Sequence, residues 1–220
     1  MNPILSLIFV HFSTDDYKSY VSERCLTRLW YMAKWHNLVP TELIVVNNCD
    51  RDLYFKDKCD IYIQNDNRSL GRARNKAFDV SKGKYVCFMD DDIYPDHRFW
   101  HQCLQLLEKY PDKKLIATPI YTGGHVYTVK HDRGFLDGHL LNTRSGSNCL
   151  LMKWESFEEI GRFDEPVPQI SPDGKVLYHG LEGVDFCNRQ IKKGYLVIHT
   201  WPGQARDLGL KLHNYAIKSF

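Results

Sequence analysis

Short apolar runs alternate with longer amphipathic segments along the first 90 residues. The apolar runs predict strands at 4–10, 42–46, 60–63 and 85–89. The segments between them predict helices over 17–36 and 70–81. Ser69 can cap the second helix, and Gly83 ends it. Strands that alternate with helices in this way are typical of a parallel, doubly wound α/β sheet.

The alternation continues, less regularly, in the second half of the chain. Here the sequence predicts helices over 95–110 and 181–193 and strands at 114–118, 149–152 and 195–199. The stretch 121–148 has no clear period and holds five of the 14 glycines. A stretch of this length predicts a binding loop or lid, or a disordered excursion. We therefore expect one α/β domain over residues 1–220, with a mixed, mainly parallel sheet flanked by helices.

Charge and cysteine content narrow the class of protein. The 29 basic and 27 acidic residues are interspersed and give a net charge of +2, so no nucleic-acid partner is expected. The seven cysteines are odd in number and include no C-x-x-C pair, which argues against a disulfide framework and a zinc site. The apolar stretch Pro3–Phe12 is too short to span a bilayer and has no basic segment before it. These features predict a cytoplasmic protein with reduced thiols and no transmembrane segment.

Three consecutive carboxylates follow the apolar run 85–89. Asp90, Asp91 and Asp92 repel one another unless a cation or hydrogen-bond donors neutralise them. Carboxylate oxygens are the ligands that Mg²⁺ and Mn²⁺ prefer. A solvated acidic turn is the alternative, because aspartate is common in turns. The strand directly before the acids favours a metal site at the open edge of a sheet.

Four sequence motifs, one of which contains the three carboxylates, follow one another along the chain. They are ELIVVNNCD (42–50), LGRARN (70–75), FMDDD (88–92), and IGRFDE (160–165) with EGVDFCNR (182–189). In this order they resemble the motifs of GT-A-fold glycosyltransferases of the large family 2, which transfer sugars from nucleotide-sugar donors. The resemblance implies a nucleotide-binding half over 1–92 and an acceptor-binding half over 93–220. It also implies a Mn²⁺ or Mg²⁺ cofactor and a glycan or other hydroxyl acceptor.

The resemblance assigns roles to the acidic residues and to one histidine. Asp92, with Asp90 directly or through water, would hold the metal, and Asp91 would lie nearer the ribose unless it is a solvated turn residue. Some members take a third metal ligand from a histidine after the last core strand, which makes His199 a candidate and would favour Mn²⁺. A structural role is the alternative for His199.

Polar residues at the end of the second strand and at the start of the second helix are candidates for nucleotide contacts. Asn47, Asn48 and Asp50 can contact a base or ribose, although asparagine at a strand end also forms turns. The resemblance favours a UDP-sugar donor. GDP- and dTDP-sugars stay open, because Asn47 stands where the family has a base-recognising aspartate. Arg74 matches the A-R-N element and is preferred to Arg72 for contact with the diphosphate or nucleoside.

The identity of the catalytic base is left open, because Gly183 stands where the family usually has the acidic residue that acts as the base. Glu182 is the first candidate and Asp185 the second. Asp185 and Arg189 are four residues apart on one helix, which predicts an ion pair that braces that helix. The resemblance implies inversion at the anomeric carbon. The rival functions are a metal-dependent nucleotidyltransferase and a non-catalytic module that binds nucleotide sugars or glycans.

Overall fold

The computed structural model describes residues 3–12, 16–34, 39–49, 53–65, 69–122, 133–143, 149–165, 169–170, 176–177 and 181–207. Within these ranges the strands are β1 (Leu5–His11), β2 (Thr41–Asn47), β3 (Ile61–Gln64), β4 (Tyr85–Asp90), β5 (Ile93–Pro95), β6 (Leu115–Thr122), β7 (Phe135–Leu136), β8 (His139–Asn142), β9 (Cys149–Lys153), β10 (Gln169–Ile170), β11 (Val176–Leu177) and β12 (Leu196–Asp207). The helices are α1 (Asp16–Lys34), α2 (Leu70–Val80), α3 (His97–Lys109), α4 (Trp154–Ile160) and α5 (Leu181–Lys192).

One mixed sheet organises the fold and confirms the predicted class. Its strand order is β3-β2-β1-β4-β9-β6-β12-β8-β7, with β5 paired to β12, while β10 and β11 pair separately. The first four strands are parallel, and β9 runs antiparallel between β4 and β6. The chain passes from β1 to β2 and β3 on one side and returns to β4 on the other. In α/β sheets ligands bind at such a reversal, outside the carboxyl ends of the strands.

Strand β1 is buried on both faces of the sheet. Leu5, Leu7 and Phe9 point into one apolar core, which α1 and α3 cover, and Ile8 and Val10 point into a second core covered by α2, α4 and α5. Because both faces are covered, β1 forms an unbroken apolar run in the sequence. This arrangement confirms the doubly wound architecture predicted for the first 90 residues.

Capping side chains set the residues at which α2 and α3 begin. The Ser69 hydroxyl accepts a hydrogen bond from the Arg72 backbone N–H at 3.3 Å, so the predicted N-cap of α2 is confirmed. Asp96 caps α3 by accepting from the Arg98 N–H at 2.9 Å. Helix α3 therefore begins two residues later than predicted, and Pro95 belongs to β5, which was not predicted.

The second half of the chain differs more from the predicted elements. Strand β12 continues to Asp207, eight residues beyond the predicted end at His199. Its pairing with β6 shifts register between Thr200 and Gln204. Pro202 and Gly203 lie in this irregular part, and in a sequence such residues are typical of the end of a strand. Strands β7 and β8 form a hairpin inside the predicted loop, whose segments 123–132 and 144–148 lie outside the described residues.

Cysteine state and helix length bear on two further predictions. The seven cysteines all lie in the described part of the chain, and none of them forms a disulfide there. Of the helices in that part, none has both the length and the apolar character needed to cross a bilayer.

Candidate active site

The register of β1, β2 and β4 brings residues that are distant in sequence to one level. Val10 pairs with Asp90, and His11 pairs with Asn47. Asp90 is the last residue of β4 and follows five buried residues. Asp90, His11 and Asn47 therefore end neighbouring strands at the edge where ligands of α/β proteins bind.

Arg74 joins two of the predicted site carboxylates. Its side chain is only 1% exposed, and its Nη2 donates to Asp90 Oδ1 at 2.6 Å. Nη1 lies 3.7 Å from Glu182 Oε1. The guanidinium lies over the ring of Phe163, with Cζ 5.0 Å from the ring centroid. Arg74, rather than the half-buried Arg72, is thus the inward-facing arginine. We call Arg74, Asp90 and Glu182 the charge cluster.

The charge cluster has more negative than positive groups. Burial raises the pKa of Asp90 to about 6; the charge and hydrogen bond of Arg74 act against this rise, while Asp91 and Glu182 add to it. The Asp90 side chain remains 28% exposed. At neutral pH Asp90 is therefore mostly ionised, and a further positive charge nearby would stabilise it.

Asp90 and Asp92 have the donor chemistry for a divalent cation. Oδ1 of Asp90 accepts from Arg74, and no residue in the described ranges donates to its Oδ2. Asp92 lies half-buried in the turn that follows Asp90. Carboxylate oxygens at an accessible strand end fit Mg²⁺ or Mn²⁺, with substrate oxygens and water completing the coordination.

Asp91 is attached to the end of β1 instead of facing open solvent. Its Oδ2 accepts from the Phe12 N–H at 2.9 Å and lies 3.2 Å from Nδ1 of His11. Burial lowers the pKa of His11, but hydrogen bonds to Asp91 and Cys49 outweigh it and raise that pKa to about 9. His11 is therefore an imidazolium that offsets the Asp91 charge at neutral pH. Contact of Asp91 with a ribose stays a prediction.

The structure does not bring His199 together with the two candidate metal ligands. Asp92 precedes β5, which pairs with Ala205–Asp207 at the far end of β12. His199 is buried in the earlier part of β12, opposite Thr118 of β6. Over the ranges that the structure describes, no group of three or more His, Cys, Asp or Glu side chains is placed to hold a metal. Because β12 continues for eight residues after His199, this histidine lies inside the strand and not at its end.

Asn47 has a structural role in the turn that follows β2. It is completely buried, and its Nδ2 donates to Tyr62 Oη at 3.0 Å and Gln64 Oε1 at 3.1 Å. Its Oδ1 accepts from the Cys49 N–H at 3.1 Å. These bonds shape the turn. Contact of Asn47 with a base stays a prediction, and it would require Asn47 to give up some of these bonds for bonds to the base. Asp50 lies outside the described residues.

The 160–165 motif packs against the helix that carries Arg74. Asn75 Oδ1 accepts from the Phe163 N–H at 3.0 Å, and its Nδ2 donates to the Phe163 carbonyl at 2.8 Å. At Gly71 an added Cβ would lie 1.9 Å from the carbonyl oxygen of Asp164, so only glycine permits this approach. The A-R-N and G-R-F-D-E motifs are thus joined by direct contact, which fixes Phe163 beneath Arg74.

Helix α5 is fixed to the same loop by an arginine. Arg189 donates to Asp185 Oδ2 at 2.7 Å, which confirms the predicted ion pair. It also donates to the carbonyl oxygens of Ile160 at 3.0 Å and Arg162 at 2.5 Å. Glu182 lies in the first turn of α5, where a negative charge favours the helix. Asp185 thus braces the helix that positions Glu182, and a catalytic role for Asp185 stays a prediction.

A groove of about 750 Å³ lies at the other end of the strands, where β1 and β4 begin. It includes Tyr85, Glu108 and Asp137 in its lining. Glu108 accepts from Lys84 at 2.7 Å and from the Tyr85 hydroxyl at 2.6 Å, and Asp137 pairs with Lys109 at 2.5 Å. Because these carboxylates already have cationic or hydroxyl partners, the groove lacks the excess negative charge that is found around Asp90.

Comparison of the sequence with family models decides the classification. The model of glycosyl transferase family 2 matches residues 23–163, which are 141 of the 220 residues. The chain belongs to glycosyl transferase family 2. The family match includes Arg74 and the three consecutive aspartates, whereas Glu182 and His199 lie beyond it. No curated protein sequence matches the chain.

Solved structures confirm the GT-A fold of this family member. The chain is similar to GalNAc-T7 crystallised with UDP, GalNAc and Mn²⁺, with a TM-score of 0.65 and 12% identity, covering 94% of this chain and 43% of that one. It is also similar to residues 1–349 of S. aureus TarS, with a TM-score of 0.63 and 15% identity, covering 92% of this chain and 59% of that one. This family member therefore spans about half the length of either structure.

Proposed function

We propose that this protein is a metal-dependent glycosyltransferase that moves a sugar from a nucleotide-sugar donor to a hydroxyl acceptor such as a glycan. The observation that carries the proposal is the charge cluster, which joins two carboxylates and one guanidinium at the carboxyl end of β4. Membership of glycosyl transferase family 2 supports sugar transfer. The UDP and Mn²⁺ named for the GalNAc-T7 structure support a UDP-sugar donor and Mn²⁺.

Donor binding is assigned to the half of the chain that ends at Asp92. Asp90 and Asp92 would hold the divalent cation. When bound, such a cation offsets the negative charge that grows on the diphosphate leaving group. Arg74 holds Asp90 in place through a charge-assisted hydrogen bond, and its charge opposes the rise in the pKa of Asp90 that burial causes. Arg74 is thus a positioning residue for Asp90.

Acceptor activation is assigned to Glu182. Its carboxylate lies in the charge cluster, and helix α5 and Arg189 fix its backbone. As a general base it would take the proton of the acceptor hydroxyl while that oxygen attacks the anomeric carbon, opposite the departing diphosphate. Attack from that side inverts the anomeric configuration. Asp185 is the less favoured candidate, because its carboxylate is paired with Arg189 and 41% exposed.

Metal-dependent nucleotide binding should require Asp92. Asp92→Ala removes a carboxylate from a turn and leaves β4 undisturbed, so the variant should fold normally. We expect its affinity for UDP in the presence of Mn²⁺ to fall at least about tenfold, since even outer-shell partners of metal ligands are typically worth ~10–100-fold. Isothermal titration calorimetry with and without Mn²⁺ measures the effect.

The control for this titration is Asp112→Ala, which removes a carboxylate from an exposed position away from the candidate site. It should bind UDP as the unmodified protein does. Equal Mn²⁺-dependent affinities in Asp92→Ala and Asp112→Ala would exclude Asp92 as a metal ligand.

A further inference from the structure

One cysteine lies among charged groups at the carboxyl ends of β1, β2 and β4. Cys49 follows β2 by two residues, and the backbone N–H of Asn48, beside it, donates to the His11 carbonyl at 2.9 Å. The Cys49 thiol forms a hydrogen bond with the His11 side chain. Ser22 of α1 and Asp91 contact the same imidazole at Nδ1, at 2.5 and 3.2 Å. We call Cys49, His11, Ser22 and Asp91 the thiol cluster.

The imidazole of the thiol cluster carries a positive charge at neutral pH. His11 is 2% exposed, and although burial lowers its pKa, the hydrogen bonds to Asp91 and Cys49 raise that pKa to about 9. A protonated imidazole beside a thiol stabilises the thiolate, which is the form that reacts. Cys49 is only half-buried, so a small reagent can reach its sulfur. Cys49 thus combines the two conditions of a reactive cysteine, a neighbouring positive charge and access from solvent.

The other six cysteines are placed less favourably for reaction. Five of them are buried, namely Cys25, Cys87, Cys103, Cys149 and Cys187. Cys59 is half-buried like Cys49, but its thiol donates to the Lys56 carbonyl oxygen at 3.2 Å. Burial raises the pKa of the Cys59 thiol, and the charges of Asp57 and Asp60 add to the rise. Cys59 is therefore an internal control for the reactivity of Cys49.

We propose that Cys49 is a modification site that forms a mixed disulfide with small-molecule disulfides, and that the attached group blocks donor binding. The Cys49 thiolate attacks one sulfur of the disulfide, so a new S–S bond forms and the old S–S bond breaks. The second sulfur leaves with the electron pair of the broken bond and takes up a proton. The Cys49 sulfur is thereby oxidised and the departing sulfur is reduced. Because His11 is already protonated, the proton of the Cys49 thiol passes to water.

The position of the thiol cluster connects the modification to the proposed function, on which the block rests. Asp91 directly follows Asp90, and His11 lies level with Asn47 in the register of β1 and β2. A group attached to Cys49 therefore lies at the same edge of the sheet as the candidate metal ligands. It would fill space that the nucleotide needs there. The block is steric, so it ends when a thiol reductant releases the attached group.

Mass-spectrometric mapping after exposure of the native protein to glutathione disulfide tests the modification. Cys49 should react at least about tenfold faster than Cys59, because only Cys49 is bonded to an imidazolium. UDP with Mn²⁺ should slow the reaction at Cys49 and leave the rate at Cys59 unchanged. His11→Asn keeps a hydrogen-bond donor but removes the charge, so it should slow the reaction at Cys49 alone.

Calorimetry with Mn²⁺ tests the block, using whichever of UDP, GDP and dTDP binds the untreated protein most tightly. Treatment with glutathione disulfide should abolish this binding, and dithiothreitol should restore it. Cys59→Ser should lose binding on treatment in the same way. Cys49→Ser should be insensitive to the treatment, because it has no thiol at the site.

The outcomes separate the modification site, the block and the proposed function. Equal rates at Cys49 and Cys59 in the unmodified protein would overturn the modification site, whether or not His11→Asn folds. An adduct at Cys49 that leaves nucleotide affinity unchanged would overturn the block and leave the proposed function standing. If the untreated protein binds none of the three nucleotides with Mn²⁺, the proposed function and the block both fail, while the two rates still decide whether Cys49 is a modification site.

Discussion

Arg74→Met should lower the free energy of unfolding by about 3 kcal/mol and abolish sugar transfer. Methionine retains an apolar side chain to pack against Phe163 but removes the charge that Asp90 and Glu182 share. Removing one partner of a buried ion pair typically costs ~3–5 kcal/mol, because the remaining charge is left uncompensated. The partial exposure of Asp90 places the expected loss at the lower end of this range.

Chemical denaturation measures this loss, with Arg72→Met as the matched control. Arg72 lies on the same helix but is half-buried, and substitutions away from buried networks usually change stability by less than ~0.5 kcal/mol. If both variants unfold at the same denaturant concentration as the unmodified protein, Arg74 does not support a buried charge cluster.

Glu182→Gln should lower the turnover number by about 10²–10⁴-fold, the usual contribution of a general base. The substitution keeps the size of the side chain and leaves an amide oxygen that can face Arg74, so the fold and donor binding should change little. Steady-state kinetics separate the two effects, since loss of a group that acts in the transition state lowers kcat and leaves the KM for the donor nearly unchanged.

Asp185→Asn is the control for the assignment of the base. It removes one charge of the Asp185–Arg189 pair at the surface of α5, where such a pair contributes about 0.3–0.5 kcal/mol. We expect a small loss of stability and near-normal transfer. A folded but inactive Asp185→Asn, beside an active Glu182→Gln, would assign the base to Asp185.

The parallel half of the fold was predictable because local pattern and tertiary structure agree there. Strands such as β1 and β4 are buried on both faces and appear as continuous apolar runs, and Ser69 caps the start of α2. The helix ends at Val80 with Ser81 as its C-cap, so Gly83 does not end it as predicted. In the second half, Pro202 and Gly203 lie within a strand that pairs with β6 on both sides of an irregularity. A sequence pattern cannot show such long-range pairing, so the predicted strand stops at His199 although β12 continues to Asp207.

The candidate site was predictable in its residue types but not in its pairings. The aspartates after β4 and the preference for Arg74 over Arg72 followed from motif position. The bond between Arg74 and Asp90 depends on how α2 packs against the end of β4, and the pairing of His11 with Asp91 depends on the β1–β4 register. These contacts are set by tertiary structure, so periodicity contains no signal for them.

The products formed from a nucleotide sugar test the central claim most directly. The protein is incubated with Mn²⁺ and UDP-, GDP- or dTDP-sugars, or with nucleoside triphosphates, and the phosphorus-containing products are identified by ³¹P NMR. We predict Mn²⁺-dependent release of a nucleoside diphosphate from a nucleotide sugar, slowly to water and faster with a suitable hydroxyl acceptor. Release of pyrophosphate from a nucleoside triphosphate, with every nucleotide sugar left intact, would contradict the assignment as a glycosyltransferase.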